Sequence, residues 1–428
     1  MEKLTSLMKE DMKPALGVTE PGAIALAVAE AARHVHGEIQ EICLRLNSGM
    51  LKNALTCGVP NCSHFGIAYA AALGALAADP EQGLECLDHV SAEDNRRAEE
   101  LVRAEKIKIS LTEISSRIFI EARVRTASGT ARALIRDSHT NLEQIEADGR
   151  MIFSKEEKTA GEKQETETDA DIHSYSLSEL WNYANSVPLE ELAFLRRAHE
   201  MNMALCEEGI RNERTSFARF LLEKNDGKVI SGDEKRTSAL LCGAAIEARV
   251  LGLPLPAMSV TGSGAHGILA TLPLYAAYKV NGYTEEQLLR ATALSDLVCM
   301  YIKEYSGKLS AFCGCAIAAG CGAACGLTFL RGGDAAAAER AVRNIASSIT
   351  GMICDGGNQG CVMKGLTAAD MAFEAAQLAA AGIAVDPMHG INGETAEETM
   401  RNMGRIASPG MVQTEKTILD IMQEKLSV

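Results

Sequence analysis

Aromatic side chains are scarce in this chain: they make up 4% of 428 residues, with a single tryptophan. Large rings therefore cannot dominate its core. With 37 glycines and alanine-rich runs such as Ala23–Ala32, helices must pack closely through small side chains. Basic blocks are missing too. The formal net charge is −15, from 42 Lys and Arg against 57 Asp and Glu. An acidic chain without clustered cations has nothing with which to neutralise a phosphate backbone, so nucleic acid is excluded as a partner. No apolar signal segment opens the chain; Met1–Lys13 reads as a charged helix. None of the thirteen cysteines forms a CxxC pair, which removes zinc-ribbon and thioredoxin readings. Their odd number and the missing export signal predict reduced thiols and a cytoplasmic protein. Ala311–Leu330 carries no charge but is poor in branched aliphatics, so it reads as a buried helix and no membrane partner is expected.

What is present is an ordinary globular balance, 47% hydrophobic and 23% charged, with mean hydropathy −0.01. At about 150 residues per domain the length suggests two to three domains. Pro21 suits the first turn of a helix through Ala23–Arg33. Alternating apolar residues predict strands at Ile42, Leu44 and Leu46, at Ile107–Leu111, at Ile118–Val124 and at Ala131–Ile135, the last two joined by a hairpin at Thr126–Gly129. Asn47–Gly66 reads as a loop, and helices are predicted over Ile67–Ala78 and Ala92–Ala104. The polar stretch Ser154–Asp171 reads as a linker. Beyond Leu177 the periodicity is almost entirely helical. The expected fold class is therefore α+β. An α+β domain with a mainly antiparallel sheet would cover 1–170, an all-helical domain 171–428, and the site would lie between them.

Two segments place cysteines at the edges of glycine-rich stretches: Ser310-Ala-Phe-Cys313-Gly-Cys315, and Met352-Ile-Cys354-Asp-Gly-Gly-Asn-Gln-Gly-Cys361. Glycine lets the backbone approach a bulky inorganic group, and a cluster held by three thiolates leaves one iron open as a Lewis acid. The same cysteines read equally as small buried residues. A third segment, Pro256-Ala-Met-Ser259-Val-Thr-Gly262-Ser263-Gly264-Ala-His266, precedes an apolar helix. Backbone N–H groups at a helix start suit an anion such as a carboxylate. No lysine follows in P-loop spacing, so a nucleotide is not indicated. Lys52-Asn53, after a strand, and Ser138-His139-Thr140-Asn141 complete the polar candidates.

Together these segments resemble the L-cysteine desulfidase family, also called UPF0597, which is related to the alpha chain of iron–sulfur L-serine dehydratase. The resemblance spans nearly the whole chain. It rests on Gly17-Val18-Thr-Glu-Pro21, Leu51-Lys52-Asn53, Ser138-His139-Thr140-Asn141, Pro256–Gly264, Leu309-Ser-Ala-Phe-Cys313, and above all Met352-Ile-Cys354-Asp-Gly with Cys361-Val-Met-Lys364. It implies a [4Fe–4S] enzyme that releases pyruvate, ammonia and sulfide from L-cysteine by α,β-elimination; the serine relative releases water instead. It further implies that Cys313 and Cys354 are cluster ligands.

One position departs from the family. Val18 stands where the family carries a cysteine that is the third ligand or a catalytic thiol. Cys62 is the expected replacement, with Cys57 or Cys361 as the other candidates. A chain without a cluster that only binds a small molecule, or a dehydratase with altered substrate, are the alternatives. The expected substrate contacts are Lys52, Asn53, His139, Thr140, Asn141, Ser259, Gly262, Ser263 and Gly264. The catalytic base is not assigned, and a homodimer is expected from base rates alone.

Overall fold

The computed structural model describes residues 2–155 and 172–426; from residue 156 on, the expected linker lies outside them. Eight strands are present: β1 (Lys13–Leu16), β2 (Ile39–Leu46), β3 (Ile107–Leu111), β4 (Phe119–Thr126), β5 (Thr130–Arg136), β6 (Leu142–Ala147), β7 (Arg150–Ser154) and β8 (Pro256–Ser259). Six form one sheet in the order β3-β2-β4-β5-β6-β7. All its pairs are antiparallel except β2 with β3. Side chains alternate across a strand. Ile42, Leu44, Leu46, Ile120, Ala122, Val124, Ala131, Ala133 and Ile135 therefore share one buried face. The helix Thr19–Ala32 packs on it, followed outward by Ile67–Leu76 and Ala92–Arg103. The opposite face is a lattice of ion pairs, in which Glu121 receives both Arg45 (3.2 Å) and Arg132 (3.3 Å).

The remainder is helical, as the α+β reading requires, with one addition: β8 pairs antiparallel with β1, Lys13 opposite Ser259. The uncharged stretch after Ala311 forms a π-helical turn, Cys315–Ala319, and then the helix Gly320–Leu330. Among the described residues no helix is long and apolar enough to cross a membrane. Gly322 shows why small residues dominate here. A Cβ at that position would lie 2.2 Å from the Ser295 carbonyl oxygen, on the neighbouring helix Glu285–Ser306. That helix starts at a Thr284–Gln287 capping box. The helix before it, Gly264–Asn281, ends on Gly282 in the left-handed conformation.

Two buried cores result. One lies under the sheet; the other fills the helical half. The termini cross over. Leu4 and Met8 of the first helix, Glu2–Asp11, belong to the helical core, and Leu419 of the last helix, Val412–Leu426, belongs to the sheet-side core. Asn47–Gly66, expected as loop throughout, begins with the helix Ser48–Ala54. That helix carries the deepest charge at the junction. Lys52 is 0% exposed and donates to Glu415 Oε2 at 2.7 Å and to the Ser310 carbonyl at 2.9 Å. Burial alone would neutralise Lys52, but Cys354 and Glu415 beside it keep it protonated.

Removing one partner of a buried pair strands the other charge. Glu415→Ala is therefore expected to lower stability by about 3–5 kcal/mol in denaturant unfolding. The double replacement Lys52→Met with Glu415→Leu should recover most of that. Equal losses in the single and the double variant would show that shape, not charge, holds the junction.

Candidate active site

A cavity opens where the helix Ser48–Ala54, the β8–Gly264 loop and the two cysteine segments meet. Two backbone features bring the cysteine segments together. Phe312 and Ile353 form an antiparallel bridge. Cys313 N–H donates to the Met352 carbonyl (3.0 Å) and Cys354 N–H to the Ala311 carbonyl (2.6 Å). Cys313 and Cys354 thus enter the cavity from adjacent extended segments, although 41 positions apart in sequence. Cys315 and Cys361 line it as well. Gly356 has φ +100°, and a Cβ there would lie 2.6 Å from the Lys52 carbonyl oxygen, so only glycine lets this loop close on the Ser48–Ala54 helix. The Cys315 thiol lies 3.4 Å from Cys313 Sγ, and its hydrogen bond draws Cys313 toward thiolate while raising Cys315.

Val18 lines the same cavity and packs on Gly357, whose added Cβ would sit 2.8 Å from Val18 Cγ1. The thiols nominated for compensation part company. Cys361 is on the cavity wall, its thiol donating to the Gly356 carbonyl at 3.4 Å. Cys62 is not brought there. It is buried in the sheet-side core, where its sulfur accepts the His64 N–H at 3.4 Å. Cys57 is also off the wall, with its thiol turned to the Ala54 carbonyl and burial pushing its pKa far up. Among the described residues no three His, Cys, Asp or Glu side chains converge on one metal ion.

Charged groups line the cavity with the thiols. Glu20, 6% exposed, accepts Asn53 Nδ2 at 2.7 Å and faces His139 Nε2 at 3.9 Å. Burial pushes its carboxyl up, but His139, Asn53 and Arg249 outweigh that and hold it at about 2. Arg249 is 4% exposed, and among the described residues its Nε has no hydrogen-bond partner. Gly264 makes room for it: a Cβ there would lie 2.7 Å from that nitrogen. Gly262 and Ser263 line the cavity at the start of the helix Gly264–Asn281, and no side chain caps this helix. Its N–H groups and positive end therefore remain open to an anion. His266 Nδ1 meets Thr261 Oγ1 at 2.6 Å, and burial beside Lys303 and Arg249 keeps the imidazole neutral.

Of the expected substrate contacts, the structure brings together Asn53, His139, Gly262 and Ser263. Four others are engaged elsewhere. Lys52 is held by Glu415 and Ser310 behind the wall. Ser259 donates its hydroxyl to the Lys13 carbonyl across the β1–β8 ribbon (2.6 Å). Thr140 is exposed, and Asn141 spends its amide on the Arg136 carbonyl and on Lys155. Gly264 acts by making space, not by lining. Sequence reasoning passed over Arg249, Lys303, Lys364 and Glu20 as site residues. For Arg249 and Lys303 the only signal was a lone charge on an otherwise buried helix face.

The depressed Glu20 carboxyl makes a pH-dependent contribution to stability. Its folded value lies near 2 against an ordinary 4.5. The contribution is therefore complete above about pH 4.5 and is lost as pH falls through about 2. Wild type should thus show on the order of 3 kcal/mol more acid destabilisation across that window than Glu20→Gln. Superimposable acid titrations of the two would refute the assignment.

Comparison with known proteins agrees with this architecture. Residues 81–420 match the family model described as serine dehydratase alpha chain. The chain is 40% identical over 425 residues to a UPF0597 protein of Clostridium botulinum, covering 98% of each chain. It is 36% identical over 422 residues to one from Caldanaerobacter subterraneus (99% of this chain, 98% of the relative). It is also 36% identical over 427 residues to one from Bacteroides thetaiotaomicron, with the same coverage. The chain thus belongs to the UPF0597 family and, over residues 81–420, to the serine dehydratase alpha-chain family.

Proposed function

We propose that the protein is a lyase that carries out α,β-elimination on a small L-amino acid, L-cysteine first and L-serine second. A [4Fe–4S] cluster would be held by Cys313, Cys354 and Cys361. Membership in the serine dehydratase alpha-chain family supports a dehydratase-like lyase. The observation that carries the reading is one cavity lined by four thiols, Cys313, Cys315, Cys354 and Cys361, together with the Glu20 carboxylate and the Arg249 guanidinium. The donor set fits a cluster. Cys313, Cys354 and Cys361 line one cavity, and thiolate is the ligand such a cluster takes. Lys364, which is ion-paired with Asp355 and lines the cavity, supplies positive charge toward such an anionic group. When bound, a cluster with an open iron supplies a Lewis acid for the β-leaving group.

The chain's own residues then handle an amino acid zwitterion. Arg249, with a free Nε, and the uncapped helix start at Gly262–Ser263 suit the carboxylate. Glu20, ionised and oriented by Asn53, suits the ammonium. The alternative, a cluster-free binding protein, draws on Val18, an apolar side chain where the family carries a thiol.

Iron analysis after anaerobic reconstitution separates the two. Cys313→Ala, Cys354→Ala and Cys361→Ala are each expected to lose most of the iron, while Cys62→Ala keeps it. Full iron in Cys361→Ala would move the third thiolate elsewhere, and a wild type that takes up none would favour the binding protein. Arg249→Met should raise KM roughly 10- to 100-fold, the loss of a charged hydrogen bond of about 1.5–3 kcal/mol, with iron unchanged. An unaltered KM would exclude Arg249 from carboxylate recognition.

A further inference from the structure

Four lysines stand in or beside the cavity, and three are accounted for. Lys52 is paired with Glu415, Lys364 is paired with Asp355, and Lys308 is exposed. Lys303 is different. It stands in the last turns of the helix Glu285–Ser306, 3% exposed, and lines the cavity. Among the described residues no carboxylate lies within ion-pair distance of it. Among the described residues its side-chain hydrogen bond goes to the Lys308 carbonyl, long at 3.3 Å. Its stem packs on Gly314, where an added Cβ would meet Lys303 Cδ at 3.0 Å, so the amine is held beside the Cys313 segment. Burial favours the neutral amine and outweighs the thiols of Cys299, Cys354 and Cys313, which pull the other way.

We infer that Lys303 is the general base that takes the α-proton of the bound amino acid. The inference rests on the elimination reading above. The amine lone pair accepts the proton from Cα. The C–H electron pair becomes the Cα=Cβ bond, and the Cβ–S or Cβ–O pair departs with the leaving group, as hydrosulfide from cysteine or hydroxide from serine. The product is 2-aminoacrylate. Its imine tautomer adds water and gives pyruvate and ammonia, so no oxidant or reductant is needed. Lys303, now an ammonium, returns its proton to the leaving group or to solvent. The other cavity groups suit this role less. His266, kept neutral by its surroundings, is too weak a base. Val18 accepts no proton, and His139 faces Glu20. Burial also holds the Lys303 amine down to about 8, within reach of the neutral form.

The test uses the anaerobically reconstituted protein in D₂O with L-2-aminobutyrate, which has an α-proton but no leaving group, and in parallel with L-cysteine and L-serine. Loss of the Cα–H signal by NMR reports proton abstraction; sulfide and pyruvate report elimination. Lys303→Met is expected to slow whichever of the two the wild type performs by at least about 100-fold, the lower end for a lost general base. Its iron content and melting temperature should stay those of wild type. Lys303→Ala should regain rate in proportion to added ethylamine, which a merely structural lysine would not allow. Exchange without elimination would sink the elimination reading and leave Lys303 standing. A wild-type rate in Lys303→Met would overturn the inference. So would loss without amine rescue in Lys303→Ala, or a wild type that performs neither reaction.

Discussion

The Lys52 ammonium, fully buried and shared between Glu415 and the Ser310 carbonyl, is the constraint on which the rest of the site depends. It joins three segments that the chain order keeps far apart: the short helix after β2, the last helix, and the approach to Cys313. The same helix also holds the second cysteine segment. Gly356 comes up against the Lys52 carbonyl, and the Gly357 N–H donates to the Asn53 carbonyl at 3.2 Å. Both cysteine segments are therefore positioned from one element of the sheet-bearing half. Asn53, the next residue, orients Glu20. Charge at the junction fixes where the thiols stand and where the carboxylate faces them.

That arrangement recasts the meaning of Val18. An isolated cysteine-to-valine change in a ligand motif reads as loss of a site. In the fold, Val18 is one apolar facet of a wall that still carries Cys313, Cys315, Cys354 and Cys361. Cys62 drew attention because it shares the Asn47–Gly66 loop with the Lys52-Asn53 motif, beyond Pro60 and close to His64. Its side chain turns inward beneath the sheet instead, because the loop after Ala54 closes on itself: the Gly66 N–H bonds the Cys57 carbonyl, and Gly58 bridges Phe65. Sequence nearness to a motif is a poor guide when a loop folds back this tightly.

The elements that were legible are those with a strong period. The buried alternation of Ile42, Leu44 and Leu46 and of Ile120, Ala122 and Val124 marked β2 and β4, and the Thr126–Gly129 turn marked the hairpin to β5. Strands β6 and β7 gave no such signal. Only Ile145 of β6 is buried, and every residue of β7 is exposed, so no alternation was written into them. The β1–β8 ribbon was hidden for another reason. Four residues containing Pro14 pair with a segment 240 or more positions away. The glycine-flanked cysteines and the Gly262–Ser263 helix start were legible as site features because their backbone requirements leave a composition trace. Arg249, Lys303 and Glu20 left none.

Those three share a physical situation that explains both their invisibility and their use. Each stands on a largely buried helix: Glu20 and Arg249 among alanine, glycine and small aliphatic residues on Thr19–Ala32 and Glu234–Val250, Lys303 among Met300, Tyr301, Ile302 and Tyr305 on Glu285–Ser306, whose Ser295 packs against Gly322 of the next helix. Helices faced with small side chains approach closely, and a long charged side chain then reaches across the seam instead of out to water. The scarcity of aromatic residues noted at the outset thus bears on the chemistry as well as on packing. Larger core residues would separate the helices and let water in. In that case Glu20 would lose the guanidinium that helps keep it ionised, and Lys303 would regain hydration and the protonated form. Close helix packing is what leaves this carboxylate, guanidinium and amine each less than a tenth exposed, where charge acts on a small zwitterion more strongly than it would in water.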